Sequence, residues 1–222
     1  EFSNDIATRY NKPRKSIRVS IIEGSDRVLP LLKPKLSEKA LLRLSQLGIT
    51  VRLNTRVNSC EPNKLCLADG EVDADVIVWT AGSRLHDFYR ENAKHFALEN
   101  GRIAVDEFLR AKNHKNIYVI GDSASTKYSG MAQTALHQAK YISRIFIKMN
   151  KGIPPVMYRS RMPIYVVPIG PRWAVLQSPK KVLSGYRAWL VRRQADLWIF
   201  KNFKPYKQAI KQWRKGNKKA NF

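Results

Sequence analysis

Asn116-Ile117-Tyr118-Val119-Ile120-Gly121-Asp122, followed shortly by Gly130-Met131-Ala132-Gln133-Thr134-Ala135, decides how the chain is read. A short β-branched run ends in Gly-Asp, and small residues then start a helix. Open α/β sheets bind ligands at the carboxyl ends of their strands, so this order suits a buried strand that delivers one carboxylate to a ligand. Gly121 lets the backbone come close. Asp122 can accept hydrogen bonds from ligand hydroxyls, and the amides from Met131 to Gln133 can face an electron-rich group. The alternative is a buried strand with an Asp cap and no ligand.

The chain has 222 residues, enough for one large or two small domains, and 44% of them are hydrophobic, enough for a core. Its formal charge of +24 is unevenly spread. Residues from Lys127 onward hold 21 of the 41 bases but only one acid, Asp196. The first part has the balance of an ordinary soluble domain. The last part is a basic surface suited to nucleic acid or acidic lipid. Cys60 and Cys66 make no disulfide framework and no zinc-like spacing, so reduced structural thiols and a cytosolic setting are expected. No signal peptide and no run of 18 apolar residues occurs. The opening Glu1-Phe2-Ser3-Asn4-Asp5-Ile6-Ala7 reads as mid-helix without a start signal, which suggests a piece of a longer chain.

Residues 1–11 read as helix and Ile17 to Glu23 as a strand ending on an acid. Leu36 to Leu47 is an amphipathic helix stopped by Gly48, and Ile49 to Leu53 is the next strand. Val57 to Cys60, Lys64 to Leu67 and Glu71 to Asp73 form a meander, with Asp69-Gly70 as a turn signal. Asp75 to Thr80 is a buried strand running into Ala81-Gly82. Ile103 to Val105 is a short strand, and the Ile117 to Ile120 strand precedes a helix from about Gly130 to Met149. This order is the second half of an α/β nucleotide-binding unit with an inserted β-meander. Eleven glycines are present without a single GxG, so the phosphate-cradling fingerprint is absent from these residues.

Glu23 stands where a strand-end acid could grip a ribose 2′-hydroxyl and repel a 2′-phosphate; Arg27 nearby weakens that preference. An ordinary exposed acid is the alternative. Thr80-Ala81-Gly82 could let a ligand pass over the backbone, or be a plain turn. Gln133, His137 and the neighbouring Gln138 lie close to one helix face and could line a site for an apolar molecule with a polar head. His137 titrates near neutrality and could relay a proton. A solvated helix face is the alternative.

Near the end, Phe203, Tyr206, Ile210 and Trp213 fall on one helical stripe, and Pro205 fits a first turn. Lys204, Lys207, Lys211, Arg214 and Lys215 surround it. Aromatics flanked by cations suit a helix in the lipid headgroup layer. Packing of the stripe on the core, or binding of single-stranded nucleic acid, remains open.

Together these residues resemble the FAD-dependent pyridine nucleotide-disulfide oxidoreductases. Glu23 with Arg27-Val28-Leu29-Pro30, Asp75 to Gly82, Ile117 to Asp122, and Ala132-Gln133-Thr134-Ala135 carry the resemblance. Ser184-Gly185-Tyr186-Arg187-Ala188-Trp189-Leu190 and the basic aromatic tail are most similar to the type II NADH dehydrogenases, which pass electrons from NADH through FAD to a quinone without pumping protons. The fold implied is α/β: part of a two-dinucleotide-binding-domain flavoprotein plus a basic amphipathic helical tail. The resemblance divides the chain into residues 1–82 (remainder of an NADH-binding domain), 83–150 (returning FAD-binding segment) and 151–222 (membrane-docking region). It implies that Glu23 meets the NADH ribose, that Ala81 and Gly82 lie beside the cofactors, and that Gly121 and Asp122 hold FAD. It also implies that Ala132 and Gln133 lie under the flavin beside the quinone, and that Glu1 faces the flavin. His137 and Gln138 stand where relatives often carry two glutamines, and with Glu1 and Gln133 they make up the implied catalytic set. No metal is implied.

The family's two glycine-rich loops are not in these residues, which implies a carboxyl-terminal half that is inactive by itself. The implied partners are a quinone and, through residues 186–219, an anionic membrane surface, with peripheral placement on the cytoplasmic side of the cell membrane. A homodimer is compatible with this reading, and nucleic acid is not a partner in it. A flavoprotein reductase with a soluble acceptor, and a basic nucleic-acid-binding protein, are the alternatives.

Overall fold

The computed structural model describes residues 17–82 and 84–219, with side chains of the last helix described as far as Arg214. Glu1 and the helix expected over residues 1–11 lie outside the described residues. The fold is α/β and divides into two compact units, one running through Val78 and resuming at Ile164, the other spanning Trp79–Pro163.

In the first unit, strand β1 (Val19–Ile22) pairs in parallel with β2 (Ile49–Arg52), Val19 opposite Ile49, and helix α1 (Pro34–Gln46) connects them. Pro34 opens α1, where its missing N–H costs nothing. Leu36, Ala40 and Leu44 recur every fourth residue and are buried on one face. Gly48, at φ +72°, ends the helix in the left-handed conformation that suits glycine. Strands β3 (Val57–Glu61), β4 (Lys64–Leu67) and β5 (Gly70–Asp73) form the expected antiparallel meander. Cys60 lies opposite Leu65 and Cys66 opposite Ser59, so the two thiols sit on opposite faces of the ladder.

The same unit contains a second antiparallel sheet of β9 (Tyr165–Pro168), β10 (Ala174–Gln177) and β11 (Val182–Gly185), with β10 central. All four residues of β10 are buried. Alternation along the strand explains this. Val175 joins the cluster of Leu36, Ala40 and Leu44 from α1, whereas Ala174 and Leu176 pack with Ala188 of α4 (Tyr186–Phe203). Gln177, two residues after Val175, accepts a hydrogen bond from the Lys33 N–H at the start of α1 (2.8 Å).

Helix α5 (Tyr206–Lys219) packs back on α4, and this corrects the single-stripe reading of the tail. Lys204 is extended and Pro205 follows it, so Phe203 ends one helix and Tyr206 begins the next. Trp213 turns toward α4: its Nε1 donates to Arg193 O (2.7 Å), while Arg193 Nη2 donates to Trp213 O (2.7 Å) and its guanidinium lies 4.7 Å from the indole ring. Burial keeps Arg193 below the usual guanidinium range, with Arg192 adding repulsion.

The second unit contains α2 (Asp87–Glu91), β6 (Leu98–Glu99), β7 (Arg102–Ala104), β8 (Ala124–Ser125) and α3 (Ala132–Met149). Ile103 pairs with Ala124 in parallel, and both belong to a core with Leu85, Ala111 and Val119. Two expected buried strands are corrected. Asp75 to Thr80 pairs with no described strand, and Val76, Val78 and Trp79 are exposed. Ile117 to Ile120 makes one bridge, Tyr118 to Arg110, and buries Val119 alone, leaving Ile117 and Ile120 exposed. A β-branched run favours extended backbone but does not supply a ladder partner.

Among the described glycines of the first unit, Gly170 is the most closely approached. At φ +72°, an added Cβ would stand 2.7 Å from Leu47 Cδ1, whereas at Gly48, with the same φ, it would meet nothing within 4 Å. Both alanine replacements carry the left-handed backbone strain, and only Gly170→Ala adds a clash. Urea unfolding should show Gly170→Ala losing about 1–3 kcal/mol more than Gly48→Ala. Equal losses would show that Leu47 moves aside freely.

Candidate functional site

The second unit brings the Gly-Asp turn and the start of α3 together through one buried side chain. Gly121 leaves the extended Ile120 at φ +71° and opens a single helical turn through Ser123. Its N–H donates to Gln138 Oε1 at 2.6 Å. Gln138 Nε2 donates to Thr126 Oγ1 (3.0 Å), which bonds Ser129 Oγ (2.8 Å), and Ser129 Oγ donates to Ala124 O. Gln138 is fully buried. This revises its expected role: its amide is committed to the turn, so it holds the site and does not share a substrate-facing stripe.

Asp122 is exposed, and its carboxylate bonds to no described residue; only its carbonyl is used, accepting from Arg102 Nε at 2.9 Å. Helix α3 begins at the extended Met131 with no side-chain cap and no acid in its first turn. The Thr134 hydroxyl is buried there without a described partner. Ala132 is exposed and Gln133 half-buried. An electron-rich group could therefore meet the helix start without displacing a protein cap.

Gln133, His137 and Tyr141 follow one another at four-residue spacing on α3. Across from them stands Tyr158, whose N–H donates to Glu107 O (2.7 Å). The Tyr158 hydroxyl is 3.2 Å from His137 Nδ1, and Tyr141 Oη donates to Val156 O (2.8 Å). Ring centroids lie 5.4 Å apart for His137–Tyr158 and 5.1 Å for Tyr141–Tyr158. Burial lowers the His137 pKa, and Arg161 and Arg144 lower it further. Burial pushes Tyr141 up to about 12, with Asp106 adding to it. Tyr158 is also raised by burial, partly offset by the polar groups of Ser160 and Gln138 and the charge of Arg161 nearby. Near neutral pH this cluster therefore presents a neutral imidazole and two neutral phenols. Beside it, burial opposes ionisation of Asp106, but the amides of Arg110 and Phe108 and the Arg110 guanidinium outweigh it and hold the carboxyl low.

Ala81 and Gly82 sit on an exposed turn in which Gly82 N–H closes back on Thr80 O (3.0 Å), outside the hydrogen-bonded group around Gly121. The buried strand end expected there is corrected with Asp75 to Thr80. Glu23 belongs to the first unit, half-buried at the end of β1, where Oε1 accepts from Ser25 N–H (2.9 Å). Arg27 is held by Pro30 O (3.3 Å) and by Asp26 (3.6 Å). Tyr158, Tyr141 and Thr126 were not found from the sequence. Tyr158 lies in a stretch of Pro, Met and Arg without periodicity, and nothing local announces its partner.

Comparison with known proteins places the chain in a family. The pyridine nucleotide-disulphide oxidoreductase family model matches residues 4–139. A probable NADH dehydrogenase of Dictyostelium discoideum is 27% identical over 88% of this chain and 45% of its own. A type II NADH:quinone oxidoreductase of Haemophilus influenzae is 31% identical over 65% of this chain and 35% of its own. The solved structure of NDH2 from Plasmodium falciparum in complex with NADH shares the fold, with a TM-score of 0.78 and 17% identity over 94% of this chain and 59% of that one. The chain thus spans less than half the length of these curated relatives. The family-model match, over more than half of the chain, shows that it belongs to the pyridine nucleotide-disulphide oxidoreductase family.

Proposed function

We propose that this chain forms part of a type II NADH:quinone oxidoreductase, which passes electrons from NADH through FAD to a quinone without pumping protons. The observation that carries the reading is the Gly121–Asp122 turn, clamped by Gln138 with its carboxylate exposed and bonded to no described residue. Relatives carrying that activity in their names support it.

The residues present fit FAD. Gly121 has no Cβ and a positive φ, Asp122 offers a carboxylate for ligand hydroxyls, and α3 opens without a side-chain cap. Gly121, Asp122, Ala132 and Gln133 would hold the cofactor, which when bound supplies two-electron transfer between nicotinamide and quinone. Gln138 keeps the turn on α3. Gln133 and His137 bind the acceptor's polar head, and Glu23 binds the NADH ribose. The engagement of Arg27 by Pro30 and Asp26 favours NADH over NADPH, because a 2′-phosphate would have to compete for that guanidinium. Ala81 and Gly82 keep their role beside the cofactors as part of this proposal. Glu1 keeps its role facing the flavin, although it lies outside the described residues. The functional division into residues 1–82, 83–150 and 151–222 is likewise part of the proposal.

The C-terminal helices give the protein its membrane surface. Tyr186, Leu190, Trp198, Phe203 and Tyr206 are exposed, with Arg187, Lys201, Lys204, Lys207, Lys211 and Arg214 exposed among them. Cations near an anionic bilayer contribute about 1 kcal/mol each. Among the described residues no helix is long and apolar enough to cross a membrane. Peripheral attachment on the cytoplasmic side follows from this reading, and a homodimer is compatible with it.

Expressed from its full reading frame, the protein should carry flavin and reduce quinone with NADH. Asp122→Ala removes charge-assisted hydrogen bonds and should weaken flavin retention by about 1.5–3 kcal/mol. Gln138→Leu takes the partner from the part-buried Gly121 amide, and should destabilise the fold by about 1–3 kcal/mol and release flavin as well. A colourless parent protein defeats the proposal.

Deleting α4 would remove Ala188 from the core, so the membrane contact is better tested by substitution. The variant Trp198→Ser/Phe203→Ser/Tyr206→Ser should lose flotation with phosphatidylserine vesicles, and parental flotation should fall with salt. Retention of RNA in place of vesicles would favour nucleic-acid binding.

A further inference from the structure

We propose that Tyr158 is a positioning residue for His137. It fixes the imidazole as the Nε2–H tautomer, so that Nε2–H is the donor offered to a carbonyl oxygen of the electron acceptor. The proposal rests on the acceptor reading of α3 given above.

The geometry of the phenol supports it. Tyr158 is anchored at its backbone by Glu107 O (2.7 Å), and its ring lies against both His137 and Tyr141. Its hydroxyl meets His137 Nδ1 at 3.2 Å. A neutral phenol is a good donor and a weak acceptor, whereas an unprotonated imidazole nitrogen is a good acceptor. An Nδ1–H would have to donate to the weakly accepting phenol oxygen. The better-matched arrangement has Tyr158 O–H donating to Nδ1, which leaves the proton of the neutral imidazole on Nε2. Tyr141 cannot take over this role, because its hydroxyl is bonded to Val156 O.

The charges around His137 point the same way. Arg144 from α3 and Arg161 from the segment that carries Tyr158 both oppose a positive charge on the ring. The neighbouring phenols, Tyr141 and Tyr158, stay protonated because burial raises both. A neutral donor suits a quinone carbonyl, which gains electron density as it is reduced.

Imidazole nitrogen NMR on the chain itself gives a test independent of turnover. The parent should show the Nε2–H tautomer at His137. Tyr158→Phe should give a tautomer mixture and a raised His137 pKa, because the bond that stabilises the neutral ring is gone. Tyr141→Phe, which cuts a bond to the same segment, should change neither. An Nδ1–H parent, or no change in Tyr158→Phe, overturns the proposal; if Tyr158→Phe does not fold, the parent tautomer decides alone. In the protein from its full reading frame, Tyr158→Phe should lower kcat/KM for a short-chain quinone about tenfold, the loss expected for one misplaced hydrogen bond. Ferricyanide accepts electrons without a carbonyl to be bonded, so its reduction should be unchanged. Unchanged quinone reduction overturns the acceptor role. A parent that reduces neither acceptor overturns the oxidoreductase reading, and leaves the tautomer measurement to stand or fall separately.

Discussion

The hydrogen bond from Gly121 N–H to Gln138 Oε1 is the constraint on which the second unit's site depends. Gly121 stands at φ +71°, and its amide is taken by a side chain rather than by a strand neighbour. A buried amide without a partner costs about 1–3 kcal/mol, so this backbone shape persists only because a side chain reaches in from α3. That side chain is fully buried and joined through Thr126 and Ser129 to Ala124, the residue that pairs with β7. Turn, strand and helix are thereby fixed to one another by polar contacts. Asp122, the next residue along, is left to face outward. Its availability is a consequence of how completely its neighbours are satisfied.

The first unit solves a different problem, that of covering a short central strand on both faces. β10 has only four residues, and alternation sends Val175 to α1 and Ala174 and Leu176 to α4. Gln177 lies on the α1 side and receives the Lys33 amide at a helix end that has neither an acidic first turn nor a side-chain cap of its own. Residues more than a hundred positions apart in the chain therefore share one core. This is why α4 contributes to stability as well as to surface chemistry.

The local elements of this fold were legible because each carries its own period. Leu36, Ala40 and Leu44 announce a helix face, Gly48 its end, and Asp69-Gly70 a hairpin. Asp75 to Thr80 and Ile117 to Ile120 misled because β-branched composition specifies extended backbone and burial only on average. In the candidate site, Gly121 and Asp122 were legible from their order after an apolar run. Gln138 was expected on a substrate-facing stripe and lies buried against the Gly121 turn, since helical spacing sets a residue's angle around the axis only to within a neighbouring stripe. Gln133 and His137 face one way, while Thr134 and Gln138, one position on, face the interior. Tyr158 was illegible because its meaning comes from a contact with His137 across 21 residues of chain.

The tail shows how a stripe of aromatics can be read as one surface and divide into two. Pro205 lacks an amide hydrogen and cannot continue α4, so the chain turns there and α5 returns along it. Trp213 then faces Arg193, and reciprocal bonds between each side chain and the other's carbonyl lock the hairpin. The arrangement separates two kinds of cation. Arg193 is buried and holds structure, and Asp196, the single acid after Lys127, is paired with Arg192. Lys201, Lys204, Lys207, Lys211 and Arg214 remain exposed, beside the exposed Trp198, Phe203 and Tyr206. Lys201 lies 4.6 Å from the Tyr206 ring across the break, so charge and aromatic surface meet where the hairpin turns. A bilayer interface accepts both at once, with the rings at headgroup depth and the ammonium groups among the phosphates. The same hairpin that withdraws Trp213 from solvent therefore concentrates the remaining aromatics and cations at one turn.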